Sequence, residues 1–248
     1  MSRTRSGTSP GPVQKAAMGL ATGGGDIMIQ DPISLAFSTP FLMDLTRIRF
    51  DDMVSFIVSV LIAITVHAEA QAFAATFLGD AQADNSRRFH FNPLLHLDIS
   101  GVICFLAAGF GWPRPILVIS ERFSRPRLYT LLACLAGPLA NFLMASIAGS
   151  VIWLFKHYGV EDRVFGMVMA VNLTMATYHL LPIPPLAGSA ILPALFPALL
   201  KAWPSRIGSR IGSVILILYF GFERISGCHY IGDILSRLAI RLHLIFIS

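Results

Sequence analysis

Side chains able to do chemistry are scarce in this chain, and the densest group lies in AITVHAEAQAFAATFLGD (63–80). A helix that holds zinc and hydrolyses a bond needs His-Glu-x-x-His. The two His, four apart, share one helix face and grip the ion, and the Glu acts as general base on the metal-bound water. Here His67 fills the first position, Ala68 stands where the Glu belongs and Gln71 where the second His belongs. Glu69 is the nearest carboxylate. At about 100° per residue it points about 200° from His67, whereas the required base lies about 100° away. Reaching the same water would need a register shift that displaces His67 itself. Gln71 keeps the His67 face but offers only a neutral amide.

The elements that position these residues follow from composition. The 248 residues are 54% hydrophobic and only 13% charged, with mean hydropathy +0.67. A soluble domain averages about 25% charged residues, so too little polar surface remains to face water on all sides. An integral, all-α membrane protein is expected. Residues 1–25 are polar and Gly/Ser-rich, without the apolar run of a secretory signal, and read as a disordered tail. Cys104, Cys134 and Cys228 lie apart in or beside apolar segments and read as small buried hydrophobes. The formal charge of +5 marks loops beside anionic lipid, and no nucleic-acid partner is expected.

A membrane span needs roughly 20 mainly apolar residues. Segments 53–78, 128–155, 164–181, 207–222 and 230–247 give about five spans, the last carrying Arg237 and Arg241 on one face. Segment 99–119 is apolar but broken by GFGWPRP (109–115), whose Gly and Pro residues disfavour a continuous helix. It reads as a re-entrant hairpin. That choice gathers Arg87, Arg88, Arg122, Arg125, Arg127, Lys201, Arg206 and Arg210 on one side of the membrane, as the positive-inside rule asks. Segment 27–43 either dips into the membrane or is translocated with the tail. The organisation expected is a tail over 1–50, a membrane core over 51–195 and C-terminal helices over 196–248.

Four blocks resemble the site-2 protease family of intramembrane zinc metalloproteases, in the family's order and with roughly its spacing. They are the helix ending in FLGD (77–80), FNPLLHLDISG (91–101) with GFGWPRP (109–115), LAGPLANFLMA (135–145), and NLTMATYHLLPIPPLAGSAIL (172–192). The resemblance implies a helical core with zinc held inside the bilayer near the cytoplasmic face. Its ligands would be two His from the first helix and an Asp from the turn after LPIPP. Carried onto this chain, the first His is His67, the base falls on Ala68, the second His on Gln71 and the Asp on Ala187. An Asn implied to hold substrate or oxyanion falls on His179. His67 with His179 gives two ligands at most, where hydrolytic zinc generally uses three.

The expectation from this comparison is a pseudoprotease: no catalytic residue, no zinc or other cofactor, and a scaffold in the bacterial cytoplasmic membrane. It would bind a transmembrane partner as adaptor, assembly factor or subunit of a membrane complex. The alternative is an active intramembrane zinc metalloendopeptidase with an altered site built from His67, Glu69 and His179. Transport through Glu69 and the Arg237/Arg241 pair is a weaker third reading, since no inverted repeat is evident. His67 and Gln71 are expected to bond each other or nearby backbone, Glu69 to have a structural partner, and His96 and Asp98 to hold the start of the hairpin. Asn141 and Asn172 suit interhelical hydrogen bonds of about 1 kcal/mol each. Gly137-Pro138 and the prolines of 182–185 read as backbone devices.

Overall fold

Small residues dictate how the helices meet. The computed structural model describes residues 50–80, 89, 91–108, 110–116, 118–162, 164–196 and 206–226, with scattered positions from 231 to 241. Helix α1 (Phe50–Phe77) buries Ser59, Ala63, Ile64, His67, Ala68, Ala72 and Ala75. Helix α3 (Pro126–His157) buries Ala133, Gly137, Asn141, Ala145, Ala148 and Gly149. Both sets recur every three or four residues, so each forms one stripe down one helix face. Stripes of Ala, Gly and Ser let backbones approach closely, which is how helices associate where lipid leaves no hydrophobic drive between them.

Helix α4 (Val164–Tyr178) sits against both stripes and is buried from Gly166 to Tyr178 except at Thr174. Asp162 starts it by accepting from Phe165 N and Gly166 N at 3.1 and 2.8 Å, a cap that also suits the positive end of the helix. Helix α1 stops at Gly79, whose φ of +115° few other residues tolerate. The next residue, Asp80, is fully buried and accepts from Ile119 N and Arg122 Nη1. It thereby ties the end of α1 to the segment that leads into α3.

The segment expected to double back does so. Helix α2 (Ile99–Ala108) is capped by Asp98, which accepts from Gly101 N at 3.0 Å and from Ser100 Oγ. The chain then returns so that Leu97 and Pro113 pair in an isolated antiparallel bridge, and Arg114 N donates to His96 O at 2.7 Å. Gly101 and Gly111 make the return possible, because a Cβ on either would strike backbone carbonyl of the opposite limb. Helix α6 (Arg206–Ser226) packs against α2. Cys104, Phe110, Trp112, Tyr178, Leu186, Leu216 and Phe220 form the apolar cluster between them.

A short helix α5 (Ile191–Leu195) follows the proline turn, where the Pro184–Pro185 bond is cis. Gly212 of α6 lies so close to that turn that a Cβ would overlap the Pro184 carbonyl. Gly212→Val is therefore expected to cost about 3 kcal/mol by overpacking. A thermal melt in mild detergent that matches the wild type would show that α6 does not pack there.

All regular structure among the described residues is helical, apart from the one bridge. Five spans are expected from sequence; among the described residues two helices, α1 and α3, are long and apolar enough to cross a membrane. Helix α4 is apolar but has 15 residues. The tail up to residue 49, Arg87, Arg88, Lys201, Cys228 and most of 230–247 lie outside the described residues. Arg237 and Arg241 are exposed. Large apolar side chains also stand outward, among them Phe73, Leu139, Leu143, Leu218 and Phe222. An outer surface of that kind is compatible with lipid.

Candidate functional site

Three buried polar side chains, His67, Asn141 and Asn172, meet where α1, α3 and α4 come together. His67 Nδ1 lies 2.7 Å from Asn141 Oδ1. Asn141 Nδ2 donates to Ala63 O and to Asn172 Oδ1, each at 2.9 Å, and Asn172 Nδ2 donates to Val168 O at 2.8 Å. The Ala63 carbonyl can only accept, which fixes the Asn141 amide: its nitrogen donates twice and its oxygen accepts from His67. His67 therefore carries its proton on Nδ1, and Nε2 holds the lone pair. A donor chain through two asparagines sets both the orientation and the tautomer of one imidazole, a support typical of metal-ligating His.

Gly137 makes room for that ring. A Cβ there would stand 2.5, 2.6 and 2.7 Å from Nε2, Cδ2 and Cε1. Three nearly equal distances place it over the face of the ring, not ahead of Nε2 in the ring plane. The next residue, Pro138, has no N–H and leaves the carbonyl of residue 134 without its helical donor. Gln71 Nε2 supplies one, donating to Cys134 O at 2.8 Å. Gln71 thus bonds backbone of α3 and His67 bonds Asn141.

His179 follows the last turn of α4. Its ring centroid is 4.1 Å from that of His67, with the planes tilted by 53°, and the residue is 2% exposed. Neither ring nitrogen has a hydrogen-bond partner among the described residues. Gly111 backbone lies alongside without good hydrogen-bond geometry, and Phe110 meets the ring edge-on at 6.4 Å. Gly188 N donates to His179 O at 2.6 Å, so the turn bearing buried Ala187 closes back onto the His179 backbone.

Glu69 leaves this centre, as its angle on the helix requires. It sits 3.0 Å from His96 Nε2, both residues buried, and joins α1 to the base of the hairpin. Ala68 is fully buried and supplies no functional group. Of the residues singled out from sequence, His67 and His179 come together, Gln71 lies one turn along on the α3-facing side, and Glu69 stands apart. The sequence reading pairs His179 with His67 only through the family comparison, and the turn after α4 brings the two rings together. The only signal available was a His just before a proline-rich turn.

Fold and site together define a helical, membrane-compatible protein with a metalloprotease-like polar centre. Over 172 residues, 66% of this chain and 78% of the relative, it is 35% identical to a Bacillus subtilis (strain 168) protein named "Putative zinc metalloprotease YwhC". The chain belongs to that protein's family, a site-2-protease-like family of zinc metalloproteases. No protein-family model and no solved structure matches the chain.

This kinship corrects two sequence expectations, that the chain is not an enzyme and that it has no zinc cofactor. A relative named as a zinc metalloprotease points to a protease and to zinc. The adaptor or subunit role gains no support. The error has a physical source: reading a motif position by position treats each lost ligand as final. His179 is weighed there as a second donor and leaves the count at two, short of the three a hydrolytic zinc generally takes.

The residues present match zinc in kind but not in number. Neutral imidazole suits the ion in kind, and His67 and His179 supply two such groups. Yet no group of three or more His, Cys, Asp and Glu side chains converges among the described residues, and hydrolytic zinc generally takes three protein ligands. The described donors do not complete such a site, and no hydrolytic step is derived through it.

Proposed function

We propose that this chain is an intramembrane peptidase of the zinc metalloprotease family with an altered centre, acting on a transmembrane segment of another protein in a bacterial cytoplasmic membrane. The observation that carries the reading is the oriented imidazole of His67 beside the buried imidazole of His179, which has no hydrogen-bond partner among the described residues, deep between helices of membrane-spanning length. Burying such groups is costly, and polar residues at membrane depth are by default functional. The kinship to a protein named as a zinc metalloprotease supports the same reaction class.

This chain's own residues do three things in that reaction. Asn141 and Asn172 hold His67 in one tautomer. The close packing at Gly137 and the apolar wall of Phe110, Trp112 and Tyr178 keep bulk water from the centre. An apolar groove between α1 and α2, lined by Phe56, Val60, Ile64, Phe105 and Trp112, offers a surface on which an apolar helix could lie. Segments 164–181, 207–222 and 230–247 would bring the spans to five.

Purified protein in mild detergent, incubated with transmembrane peptides, is expected to cleave them. The activity should fall at least about 100-fold with a zinc chelator and return with added zinc, as for enzymes whose metal supplies the chemistry. Peptides that stay intact under all these conditions would refute the reading.

A further inference from the structure

We propose that the groove between α1 and α2 holds one acyl chain of a phospholipid whose phosphate rests on Arg114. The site goes beyond the peptidase reading and does not depend on it. Phe56, Val60 and Ile64 recur every four residues along α1 and form one wall, and Leu97, Phe105 and Trp112 of the hairpin form the other. The lining is wholly aliphatic, aromatic or glycine. From Phe56 to Ile64 the helix rises about 12 Å, and the cavity holds about 210 Å³. Its mean section is therefore about 18 Å², a single file of methylenes. A helix with its side chains is about 10–12 Å across, so a helix can lie over this groove but cannot enter it.

One end of the groove carries a charge. Pro113 pairs with Leu97 in the antiparallel bridge, and Arg114 N donates to His96 O at 2.7 Å. Alternate residues of an extended limb point to one side, so Arg114 follows Trp112 along the same wall. Arg114 is exposed and has no ion-pair partner among the described residues. Its neighbour His96 meets Glu69, eight residues short of the end of α1 at Phe77, which sets the guanidinium inside the span. A cation at that depth is costly without a counter-charge, and a phosphate matches a guanidinium in both charge and shape. Exposed Arg125 and Arg127 mark the same side of the bundle as the end of α1. The lipid therefore belongs to the leaflet on that side. Its chain runs from Arg114 towards Phe56 and Phe105, whose ring centroids are 5.3 Å apart at the far end.

The test uses the full-length chain carrying Trp153→Phe and Trp203→Phe, which leaves Trp112 as its one indole. The protein is held in maltoside micelles and titrated with phosphatidylglycerol brominated on its acyl chains. Bromine quenches indole fluorescence in near contact. Trp112 is 2% exposed, so a chain in the groove reaches it and surrounding detergent or lipid does not. Saturable quenching is expected. Arg114→Gln should raise the half-saturating lipid concentration about fivefold, the loss of one cation facing a phosphate. Val60→Phe, which fills the groove, should remove the saturable part, and Arg127→Gln should leave it unchanged. A melt near that of the parent qualifies each variant as folded, and Arg114→Gln, at an exposed side chain, carries the test if Val60→Phe does not fold.

Trp112 that is never quenched overturns the proposal. So does quenching that is the same in Arg114→Gln, or that brominated diacylglycerol, which has the chains without the phosphate, produces equally well. Trp112 that ignores the lipid but shifts its emission when a transmembrane peptide is added gives the groove to a protein helix and overturns it too.

Discussion

Gly137→Ala should destabilise this protein and disorder the polar centre at its core. The new Cβ would stand 2.5–2.7 Å from three atoms of the His67 ring, far inside contact distance. The ring cannot swing away without breaking its bond to Asn141. The helices cannot part without opening the stripe of small residues on either side. We expect a loss of about 3 kcal/mol, at the upper end for overpacking, together with loss of ordered His67. Thermal unfolding in detergent measures the first, and the imidazole signals in a histidine-labelled NMR sample the second. A variant with an unchanged melt would mean that α1 and α3 do not approach as closely as described.

Asn141→Leu should follow closely. The residue is fully buried and makes three hydrogen bonds to groups on α1 and α4. Leucine keeps the branching but is larger, so some overpacking adds to the loss of the polar contacts. It strands the His67 N–H and the Asn172 carbonyl oxygen away from water. At roughly 1–3 kcal/mol for each stranded group the cost is about 3 kcal/mol. The tautomer of His67 also loses its restraint, so the ring populates both. Asn172→Leu should cost less, because it strands only one partner outside its own helix. If the two variants melt together, Asn141 is not the hub.

The fold was legible where backbone rules decide it. Gly and Pro in GFGWPRP announced a chain that turns back, and Leu97 beside Pro113 closes that turn. FLGD announced the end of α1, and Gly79 ends it. Asn141 and Asn172 announced polar bridges between helices, although the direction of each bond emerged only from the geometry. Hydropathy was less informative about spans, since an apolar run such as 164–181 yields a buried helix of 15 residues.

The centre was legible only in part. His67 stood out because a helical motif fixes what its neighbours should be. His179 stood out only through the family comparison, because its contact with His67 is made by the turn after α4 and has no periodic signature. The same limit explains why the sequence comparison alone argued against an enzyme.

The Gln71–Cys134 bond carries a consequence for which changes this protein can accept. One carbonyl has two possible donors, a side-chain amide on the neighbouring helix or a main-chain amide at residue 138. Removing the first alone (Gln71→Leu) orphans the oxygen, and restoring the second (Pro138→Ala) makes the first redundant. Pro138→Ala should therefore rescue most of the roughly 1 kcal/mol that Gln71→Leu loses. Drift at these two sites would be permitted in one order and barred in the other: alanine at 138 first, then leucine at 71.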